Sequence, residues 1–558
     1  MLTLRPRAAR AVTLPAVRRG EDTQTASQQR RALSWSGERP PLWVVLPAVL
    51  VAILELLPLL YLVARTFEAS ANIWPVLLRA RTVEVVLNTV ALAGAVALAT
   101  IVIAVPLAWL TTRTDLPGRA FWSVAAALPL VIPSYIGAVV IVAAFGPRGM
   151  LQSALAPFGV ERLPSIYGFA GSWLTLTLFT YPYVYLTVRA ALRGFDPSLE
   201  EAARCLGFGP WRSFFAVTLP QIRPAAAAGG LLVALYAIGD FGVVTLLRYD
   251  AFTRAIYVQY RAAMDRGGAA MLALLLVALS IVVLVVELRA RGNATLHRLG
   301  SGAGRRGRPV ALGRATVPAL LFCALVVGLA LALPIAILGA WLVRSFSAGT
   351  DLSGLPAATM HSLTLGFWTA LIATACALPI AVLLVRYPGG GARLVERLAY
   401  LGYALPGLVV ALAFVAFGAG TPVYQTLLML IGACVVRFLP EAVSSVRAAL
   451  LQVSPRLEEA ARGLGRSQVG AVASVTAPLA RSGILAGAAL VLLTAMKELP
   501  ATLLLSPTGW DTLAVEVWTA ANDAAYGDAA APALILIVVA AVPMLLFAPR
   551  DGVREQAP

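Results

Sequence analysis

Three ionisable residues that interrupt apolar stretches are the first candidates for chemistry in this chain. Asp240 and the adjacent pair Lys497 and Glu498 lie about sixteen residues past the arginine that begins each stretch. In a helix rising about 1.5 Å per residue, this places them beyond the middle of a bilayer. An ionisable group at that depth costs a few kcal/mol unless it is paired or faces water. We therefore predict that these residues line or gate a translocation pathway; a salt bridge that only holds two parts of the chain together is the alternative.

Other kinds of chemistry lack the residues they would need. Lys497 is the single lysine, so the phosphate-binding sequence Gly-x4-Gly-Lys-Ser/Thr is absent and any ATP hydrolysis must reside on another polypeptide. The two histidines and four cysteines are scattered, and no clustered His/Asp/Glu set or Ser/His pair interrupts the apolar stretches. We expect no enzyme activity, no catalytic residue, no metal site and no cofactor in this chain.

The composition indicates an all-α polytopic membrane protein. Hydrophobic residues make up 59% and charged residues 13%, against about 25% charged in a soluble domain. The length of 558 residues holds about a dozen spans of roughly 20 apolar residues. A net charge of +17 would suggest nucleic acid in a soluble protein, but here the arginines cluster beside apolar runs. The expected partner is therefore the lipid bilayer and not nucleic acid.

Twelve apolar segments are predicted to be transmembrane helices, in two sets of six. The first set is 41–62, 86–112, 120–146, 168–192, 224–247 and 268–288; the second is 315–343, 361–385, 396–418, 422–450, 483–506 and 529–548. No small-residue cleavage site follows the first segment, so we interpret it as a retained helix and not as a signal peptide.

The charge of the connecting segments predicts the orientation. Segments 113–119, 189–223, 289–314 and 447–481 are rich in arginine, and the intervening ones are poorer in arginine or acidic. Since cationic loops are retained on the cytoplasmic side, both termini are expected to be cytoplasmic. The outer loop 248–266 carries four arginines and departs from this pattern.

The chain contains an internal repeat. At an offset of 258, Pro182–Gly207 falls on Pro440–Gly465 with 15 identities in 26 positions; an offset of 273 aligns the preceding helices. Both copies enter their best-matched segment from the same side, which predicts parallel repeats related by an axis along the membrane normal. We divide the chain into a basic cytoplasmic tail (1–40), a first repeat (41–291), a Gly/Arg-rich cytoplasmic linker (292–313), a second repeat (314–549) and a second tail (550–558).

The best-matched stretch of the repeat lies between spans. It predicts a short cytoplasmic helix in each half, with Asp196 or Ser454 as N-cap followed by proline. Glutamates occupy the first turn, where the helix dipole favours carboxylates, and a glycine ends the helix. A second short helix is expected to lead back to the bilayer.

Each segment resembles the EAA loop of permease subunits of binding-protein-dependent ATP-binding-cassette importers. The resemblance rests on Glu-Ala-Ala, a glycine four residues later and a downstream proline, Pro220 or Pro478. It implies that the loops are coupling helices docking on the ATPase through Glu200, Glu201, Ala202, Ala203 and Gly207, and through Glu458, Glu459, Ala460, Ala461 and Gly465. One copy alone would also fit a capped surface helix, but two copies at equivalent positions favour the coupling function.

The stretch 497–505, KELPATLLL, is similar to fused permeases of the ferric-iron type, with thiamine permeases close behind. The resemblance covers residues 41–549. It implies the type I importer permease fold, two ATPase subunits, an extracytoplasmic binding protein and a location in the bacterial inner membrane. Ferric iron is the first candidate solute; thiamine, polyamine or phosphonate are alternatives.

A secondary transporter of the major-facilitator kind is the rival function. Residues 112–119 superficially match the loop between the second and third helices of that fold, but the fold has no place for the repeated cytoplasmic segment.

Several further residues are expected to have structural roles. Arg437 and Glu441, four apart on one predicted helix, are expected to pair with each other. Asn88 and His361 occupy matching starts of the second and eighth spans and are read as interfacial caps. Kinks are predicted at four prolines: Pro106, Pro133, Pro379 and Pro406.

Overall fold

The computed structural model of the chain describes residues 40–68, 79–194, 198–262, 266–291, 309–349 and 351–547. The predicted tails, apart from Pro40, and the predicted linker up to residue 308 lie outside the described residues. Within the described residues the structure is helical, and its one β pairing is a parallel bridge between Thr114 and Val310.

The first half contains thirteen described helices. They are α1 Leu42–Leu54, α2 Leu57–Glu68, α3 Ala80–Arg113, α4 Arg119–Ala125, α5 Ser134–Phe145, α6 Met150–Leu155, α7 Phe169–Gly194, α8 Ser198–Cys205, α9 Pro210–Ser213, α10 Leu219–Gly239, α11 Gly242–Leu246, α12 Phe252–Arg261 and α13 Arg266–Arg291.

The second half repeats this order. Its described helices are α14 Thr316–Val327, α15 Leu333–Ala348, α16 Leu355–Arg386, α17 Gly390–Ala399, α18 Gly407–Gly418, α19 Leu427–Leu451, α20 Pro455–Gly463, α21 Gln468–Ala471, α22 Ala477–Met496, α23 Pro500–Leu505, α24 Leu513–Asn522 and α25 Tyr526–Phe547. Each half also carries a short π-helical segment, Phe214–Thr218 directly before α10 and Val472–Thr476 directly before α22, and the second half has a further one, Gly328–Ala332, before α15.

Every one of the twelve predicted segments contains a helix, in two homologous sets of six. Nine helices of the described part are long and apolar enough to cross a membrane, and a bent pair makes a tenth. The fourth span, α7, is 26 residues long but carries polar residues, and α25 has a shorter apolar core. The chain is thus an all-α polytopic membrane protein.

The third and ninth segments are broken into separate helices, a larger interruption than the kinks predicted at Pro133 and Pro406. Pro133 and Pro406 adopt extended backbone, with ψ of 141° and 144°. Because proline has no amide hydrogen and disfavours helical geometry in the preceding residue, the helix stops and restarts after it. In the ninth segment the pieces 390–404 and 407–418 meet at 101°. By contrast, Pro106 and Pro379 lie inside α3 and α16.

The fifth and eleventh segments also differ from the prediction. Both helices begin earlier than expected, because α9, the π segment and α10 follow one another without interruption, as do their counterparts before α22. Both end early, at Gly239 and Met496, directly before the predicted pathway residues. The charged residues therefore stand where the helix is interrupted, and short helices α11 and α23 follow.

The first span of each half crosses to the other half. Helix α1 packs against α16 and α17, and α2 packs against α18, all in the second half. Reciprocally, α15 of the second half packs against α5 of the first. The two repeats are consequently interlocked.

Candidate functional site

The two predicted cytoplasmic helices are present, and each ends at a left-handed glycine. Gly207 has φ of 83° and Gly465 has φ of 87°. The amide of Gly207 donates to the Arg204 carbonyl at 2.9 Å, and that of Phe208 donates to the Ala203 carbonyl at 3.1 Å. The same pair of bonds recurs after α20. This geometry terminates the helix and turns the chain back towards the membrane.

The beginning of these helices is described in the second half only. Ser454 is the N-cap residue and Pro455 follows it, as predicted, but the Ser454 side chain makes no capping hydrogen bond. Asp196 and Pro197 lie outside the described residues.

The paired glutamates of each helix have different environments, which the sequence did not predict. Glu200 and Glu458 are buried, with 7% and 0% of their surface exposed. Glu201 and Glu459 are exposed. The first glutamate of each pair therefore serves the interior of the protein, and only the second is available to a partner.

The alanines follow the same division between a buried and an exposed face. Ala202 and Ala460 are exposed, Ala203 is buried and Ala461 is half-buried. Each helix thus lies on the protein by one face and presents the other.

In the first half, Glu200 joins three elements. Its Oε2 accepts from Arg113 Nη2 at 2.8 Å, and its Oε1 accepts from the Thr218 hydroxyl at 2.5 Å. Arg113 is the last residue of α3, and Thr218 is the last residue of the π segment. Trp109 of α3 also packs edge-on against Phe214 of that segment, with ring centroids 5.2 Å apart.

Glu458 makes the equivalent contacts in the second half. Its Oε1 accepts from Arg386 Nη2 at 2.6 Å, from Arg386 Nε at 3.2 Å and from the Thr476 hydroxyl at 2.5 Å. Arg386 Nη2 also donates to the Val453 carbonyl at 3.2 Å, just before α20. The side chains of Arg386 and Glu458 are 2% and 0% exposed. We call each arginine, glutamate and threonine set a clamp.

The sequence interpretation did not include the arginine and threonine of either clamp. Arg113 falls on Arg386 at the offset of 273, and Thr218 falls on Thr476 at the offset of 258. A residue-by-residue comparison of the two halves would have found both pairs, because each lies inside an aligned stretch.

Each predicted coupling loop also carries an exposed leucine five residues after its exposed glutamate. Leu206 is 78% exposed and Leu464 is 87% exposed, and they occupy equivalent positions in the repeat. The same residue type is exposed at equivalent positions in both halves, so we include Leu206 and Leu464 among the candidate contact residues. The sequence interpretation did not include these leucines.

Asp240 lies at the break after α10 and is bound within the first half. Its Oδ2 accepts from the Ser134 hydroxyl at 2.5 Å, and its Oδ1 accepts from the Val243 amide at 2.8 Å. Ser134 in turn accepts from the Tyr236 hydroxyl at 3.3 Å. Asp240 therefore caps α11 and ties it to the broken third segment.

Glu498 occupies the equivalent position in the second half but has a different partner. Its Oε2 accepts from Arg437 Nε at 3.0 Å, and Arg437 Nη1 also donates to the Leu405 carbonyl at 3.2 Å. The predicted pairing of Arg437 with Glu441 is wrong, since Glu441 instead accepts from the Thr494 hydroxyl at 3.3 Å.

A glycine makes room for this ion pair. A Cβ atom placed on Gly407 would lie 2.5 Å from Glu498 Oε1 and 3.0 Å from Arg437 Cζ. Gly407 is the repeat counterpart of Ser134, which contacts the acid directly in the first half. The two halves thus hold equivalent acids by different means.

Lys497 makes a hydrogen bond to the other half. Its Nζ donates to the Leu130 carbonyl, in the broken third segment of the first half, at 3.3 Å. Glu498 and Asp240 have the other partners described above.

The equivalent residue of the first half also contacts the opposite half. Gly239, the repeat equivalent of Lys497, lies against Pro406 of the second half, so that an added Cβ would be 3.7 Å from the Pro406 Cβ. Phe241 also packs against Trp518, with ring centroids 5.2 Å apart. Each interrupted helix therefore ends on the broken segment of the other half.

Close to the interrupted ends of α10 and α22, each half carries a pair of polar side chains. Tyr183 packs against Tyr236 with ring centroids 5.7 Å apart, and their repeat counterparts are Glu441 and Thr494. All four are partly accessible. Among the described residues, no three His, Cys, Asp or Glu side chains are grouped so as to hold a metal ion.

Comparison with known proteins agrees with this duplicated architecture. The family described as the inner membrane component of binding-protein-dependent transport systems matches residues 100–287 and again residues 377–548. Both matches include a predicted coupling helix and its clamp, so the repeat seen in the structure is a repeat of the family's own unit.

Three relatives illustrate the similarity. The Fe(3+)-transport system permease protein FbpB 2 of Haemophilus influenzae is 33% identical over 516 residues, 91% of this chain and 98% of the relative. The Ferric transport system permease protein FbpB of Actinobacillus pleuropneumoniae is 25% identical over 489 residues, covering 83% and 71%. The Molybdenum transport system permease protein ModB of Escherichia coli is 32% identical over 192 residues, covering 32% and 80%. This chain belongs to the family of inner membrane permease components of binding-protein-dependent transport systems, in the fused form with two permease units in one polypeptide.

Proposed function

We propose that the chain forms the translocation pathway of an ATP-driven importer and couples ATP hydrolysis on partner subunits to uptake of a solute delivered by a binding protein. The observation that carries the proposal is the duplicated coupling loop. Each loop holds its helix by a buried glutamate, Glu200 or Glu458, and presents an exposed glutamate and leucine.

Two equivalent loops fit two ATPase subunits. Glu201 and Leu206 form the docking surface in the first half, and Glu459 and Leu464 form it in the second. Because the chain has no phosphate-binding loop, the energy for transport comes from these partners. In the proposed arrangement the loops and both termini face the cytoplasm, in agreement with the arginine-rich segments around them.

Ferric iron is the first candidate solute. The two ferric permeases that align with most of this chain support it, whereas the molybdenum permease aligns with one half. Thiamine, polyamine and phosphonate remain alternatives, because the solute is selected mainly by the binding protein.

Asp240, Lys497 and Glu498 are proposed to form the gate. Asp240 and Glu498 interrupt apolar helices at repeat-equivalent positions. The residues just before them, Gly239 and Lys497, contact the opposite half. Opening the pathway would separate these crosswise contacts.

The test is co-purification and coupled transport with charge-reversed loops. The chain is isolated with its ATPase in mild detergent, and uptake of radioactive ferric iron and ATP hydrolysis are followed in proteoliposomes with the binding protein present. Glu201→Lys and Glu459→Lys should each weaken ATPase association or uncouple hydrolysis, and the double variant more severely. Glu84→Lys, on the exposed surface of α3, is the control. Unchanged association and uptake in the double variant would refute the coupling role.

A further inference from the structure

The second span of each half, α3 and α16, is attached at both of its ends. At the cytoplasmic end the attachment is the clamp, in which Arg113 or Arg386 holds the coupling helix through Glu200 or Glu458. Breaking a buried ion pair leaves an uncompensated buried charge, which is strongly unfavourable. A displacement of the coupling helix therefore takes the end of the second span with it.

Towards the opposite end of α3, eight and nine residues after its first residue, three hydrogen bonds reach the connection between α11 and α12 and the first residue of α12. Asn88 Nδ2 donates to the Asp250 carbonyl at 3.2 Å, and the Phe252 amide donates to the Thr89 hydroxyl at 3.1 Å. The Tyr249 hydroxyl donates to the Asn88 carbonyl at 3.0 Å. These bonds fix the connection to the end of the span.

The same attachment recurs on α16 with different side chains. The Leu513 amide donates to the Ser362 hydroxyl at 2.9 Å, and His361 Nδ1 contacts the Asp511 carbonyl at 2.9 Å. The His361 ring stacks on Trp510 with centroids 4.6 Å apart. His361 and Ser362 are the repeat counterparts of Asn88 and Thr89. The predicted interfacial caps therefore bind a specific partner segment.

These partner segments follow the short helices α11 and α23, which begin just after the breaks that interrupt the fifth and eleventh spans. In the first half the segment also folds back on its break, because the Thr253 hydroxyl donates to the Asp240 carbonyl at 2.6 Å. The second span is thus connected to the coupling helix at one end and to the surroundings of Asp240 at the other.

The distance between the two attachments is large. From Thr89 to Arg113 the helix rises about 1.5 Å per residue, which separates the ends by about 36 Å. The intervening helix is continuous in both halves. A continuous helix fixed at both ends transmits a displacement along its axis.

We propose that α3 is a strut that carries the displacement of its coupling helix to the break at Asp240, and that α16, its repeat equivalent, acts in the same way towards Glu498. Arg113 and Thr89 are positioning residues of the first strut, and Arg386 and Ser362 of the second. This inference rests on the proposed function and adds the route by which the coupling loops act on the pathway.

The test compares variants at the two ends of one strut. Arg113→Met and Thr89→Val act on the first strut, and Ser362→Ala acts on the second. The control is Arg393→Met, which removes an exposed arginine of α17 outside the clamps. Iron uptake and ATP hydrolysis are measured in proteoliposomes with the binding protein, and the reported quantity is uptake per ATP hydrolysed.

Each single variant should keep its ATPase but lower uptake per ATP by about tenfold, an ordinary size for a coupling between distant sites. The double variant Arg113→Met/Thr89→Val should be no worse than either single variant, because one strut is already disconnected. Arg113→Met/Ser362→Ala should be worse, because both struts are affected. Since Arg113→Met leaves Glu200 unpaired, Thr218→Val provides a variant of the same clamp that retains both charges.

Two results would overturn the strut. One is a parallel fall of uptake, hydrolysis and assembled complex, which indicates a scaffold alone. The other is additive loss of uptake per ATP in both double variants, so that Arg113→Met/Thr89→Val is as defective as Arg113→Met/Ser362→Ala. Retention of the ATPase by the unaltered chain tests the proposed function. The uptake per ATP hydrolysed, compared between variants, tests the strut, so the two failures are distinguishable.

Discussion

The ion pair between Arg437 and Glu498 provides the sharpest test of how the interrupted helices are held. Glu498 is 6% exposed, Arg437 is 28% exposed, and their atoms are 3.0 Å apart. Removing one partner of a buried pair costs about 3–5 kcal/mol. The partial exposure of Arg437 favours the lower end, so we expect Arg437→Met to lose about 3 kcal/mol, or roughly a hundredfold in the ratio of folded to unfolded protein.

The double variant separates support of the fold from function. Arg437→Met/Glu498→Met replaces the pair by apolar side chains, which is often neutral for stability. It should therefore recover most of the loss, leaving only the unpaired Leu405 carbonyl, which Arg437 also binds. If the pair acts in gating, the double variant will be stable but defective in transport; if it only holds the helices, transport will recover as well.

The assay is a double-mutant cycle on the purified complex. Thermal inactivation in detergent, followed by size-exclusion chromatography, gives the stability of the two single variants and the double variant, and proteoliposome uptake gives their function. Arg393→Met serves as the control for the loss of one positive charge. A single variant Arg437→Met as stable as the unaltered chain, or no coupling between the two positions, would refute the structural reasoning.

Three further predictions follow from individual residues. Lys497→Met should reduce uptake while the complex still assembles, because the Leu130 carbonyl of the other half loses its donor; normal uptake in proteoliposomes would show that the charge is incidental. Gly207→Ala and Gly465→Ala should each cost about 1 kcal/mol of stability through left-handed strain alone, since the space around both is open; asparagine should be milder, and equal thermal stability of all variants would contradict this. The purified permease should bind no ferric ion tightly, as equilibrium dialysis with radioactive iron would reveal; a stoichiometric tight site would contradict the view that the binding protein sets the solute.

The sequence by itself determined the class, the duplication and the coupling loops. Apolar runs near the length of a bilayer predict spans, because every backbone polar group in lipid must be satisfied within a helix. The repeat around Glu201 and Glu459 was visible because both copies carry the same residue types at the same spacing. The helix ends at Gly207 and Gly465 were equally predictable, since a left-handed terminus favours glycine.

The tertiary structure alone decided which charged residues meet. Glu200 and Glu201 are adjacent in sequence, yet a helix turns successive side chains by about 100°, so one is buried in the clamp and the other is exposed. Arg437 binds Glu498 across two helices instead of Glu441 on its own helix, because the break after α22 brings Glu498 beside Gly407, where there is space for a guanidinium. Spacing along one helix predicts only which residues could pair, whereas the folding of broken segments against one another determines which do.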